Sequence, residues 1–142
     1  EISACLVGSE MCIRDSNNTV TADSNILDPS MVIVHMPDIL GVINELKNAG
    51  AEAISINDQR VVSTTSLTCE GNIININGEK ISSPFVIKAI GSSIYMNSAL
   101  TRAGGTIEYL NRYIQASVKT SNNITIGKYT GVLNPKYIKY TE

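Results

Sequence analysis

Arg60 is the side chain best placed to meet a ligand. It ends a polar run, Asn57, Asp58 and Gln59, that reads as a turn between two apolar stretches. A guanidinium at the rim of a sheet clamps a carboxylate or a phosphate through two parallel hydrogen bonds. It can equally pin a neighbouring acid, and a local pair with Asp58 or Glu52 is the simpler expectation. Asn57, Asp58 and Arg60 are therefore the candidate contacts for a ligand or partner.

The remaining reactive residue types are scattered. The single histidine, His35, has only Asp28 and Asp38 near it in sequence, and it stands between an apolar run and Pro37. A structural histidine is expected there, with no metal. A catalytic triad needs a nucleophile beside the histidine, and no serine lies in a nucleophile elbow. No catalytic residue and no cofactor is assigned. The three cysteines, Cys5, Cys12 and Cys69, are an odd set whose spacing suits neither a zinc site nor a redox pair. Cys69 lies in a convincing strand and is expected to be a small buried hydrophobe. Gly91-Ser92-Ser93 before a helix offers N–H groups to an anion, but a simple N-cap is the plainer reading. Gly104-Gly105 reads as a helix break.

These residues must be positioned by a small, aliphatic domain. The chain has 142 residues, 43% hydrophobic and 17% charged, with no Trp and one Phe. Ile and Val dominate, which favours a sheet-rich core. Pro37 opens a helix over 37–49, with Asp38 in its first turn. Ile39, Val42, Ile43, Leu46 and Ala49 form one apolar stripe, and Gly50 supplies the C-terminal cap. The period then changes to two. Strands are expected over 53–56, 60–62, 67–69, 72–76, 80–81 and 85–90, with tight turns at Asn57-Asp58 and Asn77-Gly78. Ser92 and Thr106 are expected to cap two further helices, the second carrying Ile107, Leu110 and Ile114. Residues 117–119 and 124–126 read as a closing pair of strands. Residues 18–24 and the tail 137–140 also have strand character, and 31–34 is a short apolar run. The fold class is α/β or α+β: a mixed, mostly antiparallel sheet with two or three packed helices and at least one crossover.

Residues 4–16 stand apart. They resemble a translated sequencing-adapter read-through, so 1–17 are expected to be a non-native or disordered leader. A short strand at Cys5-Leu6-Val7 is the alternative. Residues 18–142 then form the single domain.

Charge excludes some functions. The net charge is −2, with 3 basic and 11 acidic residues in 1–79 against 8 and 2 in 80–142. The basic residues are spaced singly, and intermixing of the two halves in the fold would cancel the asymmetry. With few aromatics and no recognition motif, nucleic acid is not an expected partner. No apolar run approaches the ~20 residues that span a bilayer.

Two blocks resemble the bacterial family called domain of unknown function 881. One is Glu45-Leu46-Lys47-Asn48-Ala49-Gly50-Ala51-Glu52-Ala53-Ile54-Ser55-Ile56-Asn57-Asp58-Gln59-Arg60; the other runs from Cys69-Glu70-Gly71-Asn72 to Val86-Ile87-Lys88-Ala89-Ile90-Gly91. The Gly104-Gly105 pair and Lys128-Tyr129 fit the same pattern, so the resemblance covers about 18–140. It implies a Gram-positive envelope protein, anchored by one N-terminal membrane helix and a coiled coil, with this domain outside the cytoplasm. Some members are encoded in cell-division gene clusters. No activity is established for the family, so the resemblance carries over no catalytic residue. Partners are then another envelope protein and, through the coiled coil, further copies of the chain. Membrane contact comes only through the anchor. An interaction module is the leading expectation. A small-ligand sensor with an anion site near Arg60 and a pocket between helix and sheet is the second, and an envelope hydrolase the third.

Overall fold

The computed structural model describes residues 8–14, 34–112 and 114–133. The expected strands at 18–24 and 137–140 lie outside them, as does most of 31–34.

The helix read from the apolar stripe forms as α1 (Met36–Asn48) and buries Ile39, Val42, Ile43 and Leu46. Its cap lies one step earlier than expected. His35 is the N-cap, and its N–H donates to Asp38 Oδ2 at 2.8 Å, so the acid satisfies a free backbone donor as well as the helix dipole. At the other end Ala51 N–H donates to the Leu46 carbonyl and Gly50 N–H to the Lys47 carbonyl. This reciprocal pair needs a left-handed residue between, which Gly50 supplies at φ +84°.

Eight strands make two sheets among the described residues. A five-stranded sheet contains β1 (Gly8–Arg14), β2 (Ala53–Ile56), β3 (Gln59–Arg60), β7 (Phe85–Ile90) and β8 (Gln115–Ser121) in the order β3-β2-β7-β1-β8. A separate three-stranded sheet contains β4 (Leu67–Glu70), β5 (Ile73–Ile76) and β6 (Glu79–Ile81). Residues 67–69, expected to continue the first sheet, start the second one instead. Every pairing is antiparallel. The expected crossovers are nevertheless present in split form. β1 and β2 run the same way with β7 between them and α1 connecting them. β7 and β8 run the same way with β1 between them, connected by α2 (Ser93–Thr101) and α3 (Thr106–Leu110). Two interlocked split β-α-β units are the ferredoxin-like topology, here with β3 to β6 inserted between its second and third core strands.

Residues 8–14, set aside by sequence as part of a leader, form an interior strand of the larger sheet, next to the edge strand β8. β1 pairs with β7 along Gly8–Ile13 and with β8 along Gly8–Arg14. Ladder hydrogen bonds use backbone groups alone, so unusual composition does not prevent a strand.

Alternation along β2 and β7 sends Ile54, Ile56, Phe85, Ile87 and Ala89 to one face, all buried in a cluster with α1, Met96 and Leu100 of α2, and Ile107 and Leu110 of α3. Ile74 and Ile76 of β5 join the same cluster, which fastens the small sheet to the large one. The turn between α1 and β2 comes very close to the junction of β7 and α2. A Cβ on Gly91 would lie 3.1 Å from the Gly50 carbonyl oxygen, so a glycine is needed there for packing.

Three local expectations change. Thr106 begins α3, and Gly105 holds the N-cap position. Residues 124–126 form no strand, although Ile124 is buried. Cys69 is exposed with a free thiol, because it sits toward the far end of the edge strand β4.

Candidate functional site

The Asn57-Asp58 turn has positive φ at both residues, 44° and 68°, as the two-residue hairpin between β2 and β3 requires. Asn57 is spent on structure. Its Oδ1 accepts the Val86 N–H at 2.6 Å, its Nδ2 donates to the Pro84 carbonyl at 3.1 Å, and its own N–H donates to the Val86 carbonyl. The turn is thereby sewn to β7. Asp58, with an exposed side chain, lies 3.5 Å from Lys88 Nζ.

Arg60 does not make the expected local pin. Asp58 reaches past β2 to Lys88 on β7, and no carboxylate among the described residues lies within ion-pair distance of the Arg60 guanidinium. The backbone of Arg60 is fixed instead: its carbonyl accepts from Asn77 Nδ2 at 3.1 Å and from Thr65 Oγ1 at 3.5 Å. Asn77 belongs to the hairpin turn of the small sheet, so Arg60 stands at the seam of the two sheets, half-buried.

Strand register shows what surrounds it. Arg60 is opposite Ser55, Ser55 is opposite Lys88, Lys88 is opposite Glu10, and Glu10 is opposite Lys119. One cross-strand row of paired positions therefore traverses the whole sheet, and its members Arg60, Ser55 and Lys88 lie on the face turned away from the helices. Directly opposed residues have Cβ atoms about 5 Å apart. At the second position of this row Ser55 is 1% exposed, and its hydroxyl has no hydrogen-bond partner. The sequence singled out Arg60, Asn57 and Asp58 as candidates and did not point to Ser55 or Lys88. Only the register, which sets β2 between β3 and β7, brings them together.

The helical side has grooves of a different kind. One, of about 340 Å³, lies between α1 and α3 and includes Asp38, Glu45, Arg102, Thr106 and Tyr109. Arg102 and Thr106 are both committed there to Glu45 Oε1, at 2.6 and 3.4 Å. Another, of about 420 Å³, is lined by Asn48, Ala49, Gly50, Tyr95 and Ala99. Both lie along the helices, whereas a sensor pocket was expected between helix and sheet. Among the described residues no three His, Cys, Asp or Glu side chains gather to hold a metal ion, and no helix is long and apolar enough to cross a membrane.

These features define an α+β domain: a ferredoxin-like core of sheet and helices with a three-stranded insertion. The chain belongs to the family described as "Bacterial protein of unknown function (DUF881)", whose model matches residues 8–139, β1 included. It is 33% identical over 93 residues to the UPF0749 protein YlxW of Bacillus subtilis, covering 65% of this chain and 40% of that protein. It is 30% identical over 98 residues to the UPF0749 protein Rv1823 of Mycobacterium tuberculosis, covering 69% of this chain and 31% of that one. The chain thus spans less than half the length of these relatives. A crystal structure of an uncharacterized conserved protein from Mycobacterium tuberculosis has the same fold, with a TM-score of 0.74 and 24% identity over 97% of this chain and 90% of that one.

Proposed function

We propose that this domain is a protein-interaction module of a membrane-anchored envelope protein, facing outside the cytoplasm and serving cell division, with no catalysis of its own. The observation that carries the interaction reading is the outer face of α2. The helix, Ser-Ile-Tyr-Met-Asn-Ser-Ala-Leu-Thr, has no charged residue. It buries Met96 and Leu100 in the core and still exposes Ile94 at 75% and Tyr95 at 69%. Large apolar side chains on an uncharged helix face are the composition of a partner surface. The neighbouring groove of Ala49, Gly50 and Ala99 extends that surface. The envelope and division parts of the reading draw on the family resemblance, and on the domain being a minor part of longer relatives.

Both parts are testable in the full-length parent protein in its own cells. A photo-crosslinking residue at position 95 is expected to give a discrete adduct, and the same residue at the exposed Thr68 of β4 is not. No adduct from position 95 under any growth condition would remove the interaction reading. Cys69 serves as a topology probe, since its thiol is exposed. With every other cysteine replaced by serine, a membrane-impermeant maleimide is expected to label intact cells. Labelling only after lysis would place the domain inside.

A further inference from the structure

We propose that the sheet face opposite the helices carries a phosphate-binding site formed by Arg60, Ser55 and Lys88. These residues come from three adjacent strands, β3, β2 and β7, and stand directly opposite one another in the ladder. Each has hydrogen-bonding capacity that the described residues leave open. The Arg60 guanidinium has no acid within ion-pair distance. The Ser55 hydroxyl is buried without a partner. Among the described residues Lys88 pairs with Asp58, whose side chain is 87% exposed and whose bond is of the weak surface type, and its other ladder neighbour is position 10, a glutamate.

A buried hydroxyl left without a partner is costly, and so is a half-buried cation without a counter-charge. One ligand group satisfies all three. A phosphate monoester presents three terminal oxygens and about two negative charges. Arg60 contacts two of the oxygens side by side, Lys88 meets the third as a point charge, and the Ser55 hydroxyl donates from the floor between them. A carboxylate, with two oxygens and one charge, would leave one of the cations unmatched. The bond from Asn77 to the Arg60 carbonyl and the Asn57 clamp on β7 hold the outer strands in place, so the donors are preorganised. The site lies on the opposite face of the sheet from α2 and does not depend on the interaction reading.

The chain is titrated calorimetrically with sodium phosphate, against sodium chloride at matched ionic strength. Binding is expected in phosphate only. Arg60→Gln should weaken it at least about tenfold, the loss of a bidentate charge-assisted contact. Lys88→Gln should weaken it several-fold, and it stands in should Arg60→Gln fail to fold. Ser55→Ala should weaken phosphate binding while its melting temperature stays level or rises, since the orphan hydroxyl is gone. Heat in chloride equal to that in phosphate overturns the proposal. So does unchanged affinity in Ser55→Ala, which would leave two ordinary surface cations. Glycerol 3-phosphate and phosphatidic acid in phosphatidylcholine vesicles then separate the sources. A soluble ligand binds the first with equal or greater affinity, and a lipid headgroup site prefers the second.

Discussion

The two faces of β2 and β7 follow different rules, although their residues alternate along the same strands. Toward the helices, Ile54, Ile56, Phe85, Ile87 and Ala89 are sealed with α1 and α2 into one apolar cluster. Away from the helices, Ser55 and Lys88 share a row with Arg60, and Ser55, which is buried, has an unmet hydroxyl. The first face is explained by burial alone, at about 25 cal/mol per Å² of apolar surface. The second is not, because it holds a buried hydroxyl, that of Ser55, without a partner. A single period-two pattern thus separates an apolar face that holds the domain together from a polar face with an unmet hydroxyl.

The largest effect is expected from removing what both faces share. β1 bridges β7 and the edge strand β8. Without it, two strands lose a ladder neighbour and the second split unit loses its centre. Deletion of residues 1–14 is expected to abolish the cooperative thermal transition seen by circular dichroism. A deleted chain that melts within a few degrees of the parent would show that 8–14 is the dispensable leader its composition suggested.

Next comes the covered face. Ile87 is 0% exposed and packs at its centre. Ile87→Ala is expected to cost about 2–5 kcal/mol in urea unfolding, the usual loss for truncating a buried Ile. A cost below about 1 kcal/mol would mean the helices pack loosely on the sheet, and the contrast between the faces would fail.

How much of this could be read in advance depended on whether the cause was local. The stripe Ile39, Val42, Ile43 and Leu46 identified α1, and Gly50 its end, because both signals lie within a few residues. The Asn57-Asp58 and Asn77-Gly78 turns were legible for the same reason, since few residues accept positive φ. Sheet membership was not. Nothing in the alternation of 67–70 tells whether it pairs with β2 or with β5, since partners are chosen by long-range packing. β1 was hidden because a strand paired on both sides is held by backbone groups that no side-chain pattern reports. Cys69 reads as apolar, but its place toward the end of an edge strand leaves it in water. Of the candidate site proposed above, a polar turn pointed to Arg60, while Ser55 looked like one small residue in an aliphatic strand.

The smallest effect concerns Asp58. Asparagine also tolerates a positive φ, so Asp58→Asn removes the charge and keeps the turn. The Lys88 pair is lost, and for an exposed side chain such a pair is worth less than about 1 kcal/mol and fades with salt. Stability should therefore change little, and by less at high ionic strength. Phosphate affinity should move the other way and rise a few-fold, since the carboxylate that occupies Lys88 and repels an incoming anion is gone. Titration of Asp58→Asn beside the parent chain checks this directly. Affinity that falls would mean Asp58 orients Lys88 for its ligand, and the open face would then be a four-residue device that uses its acid.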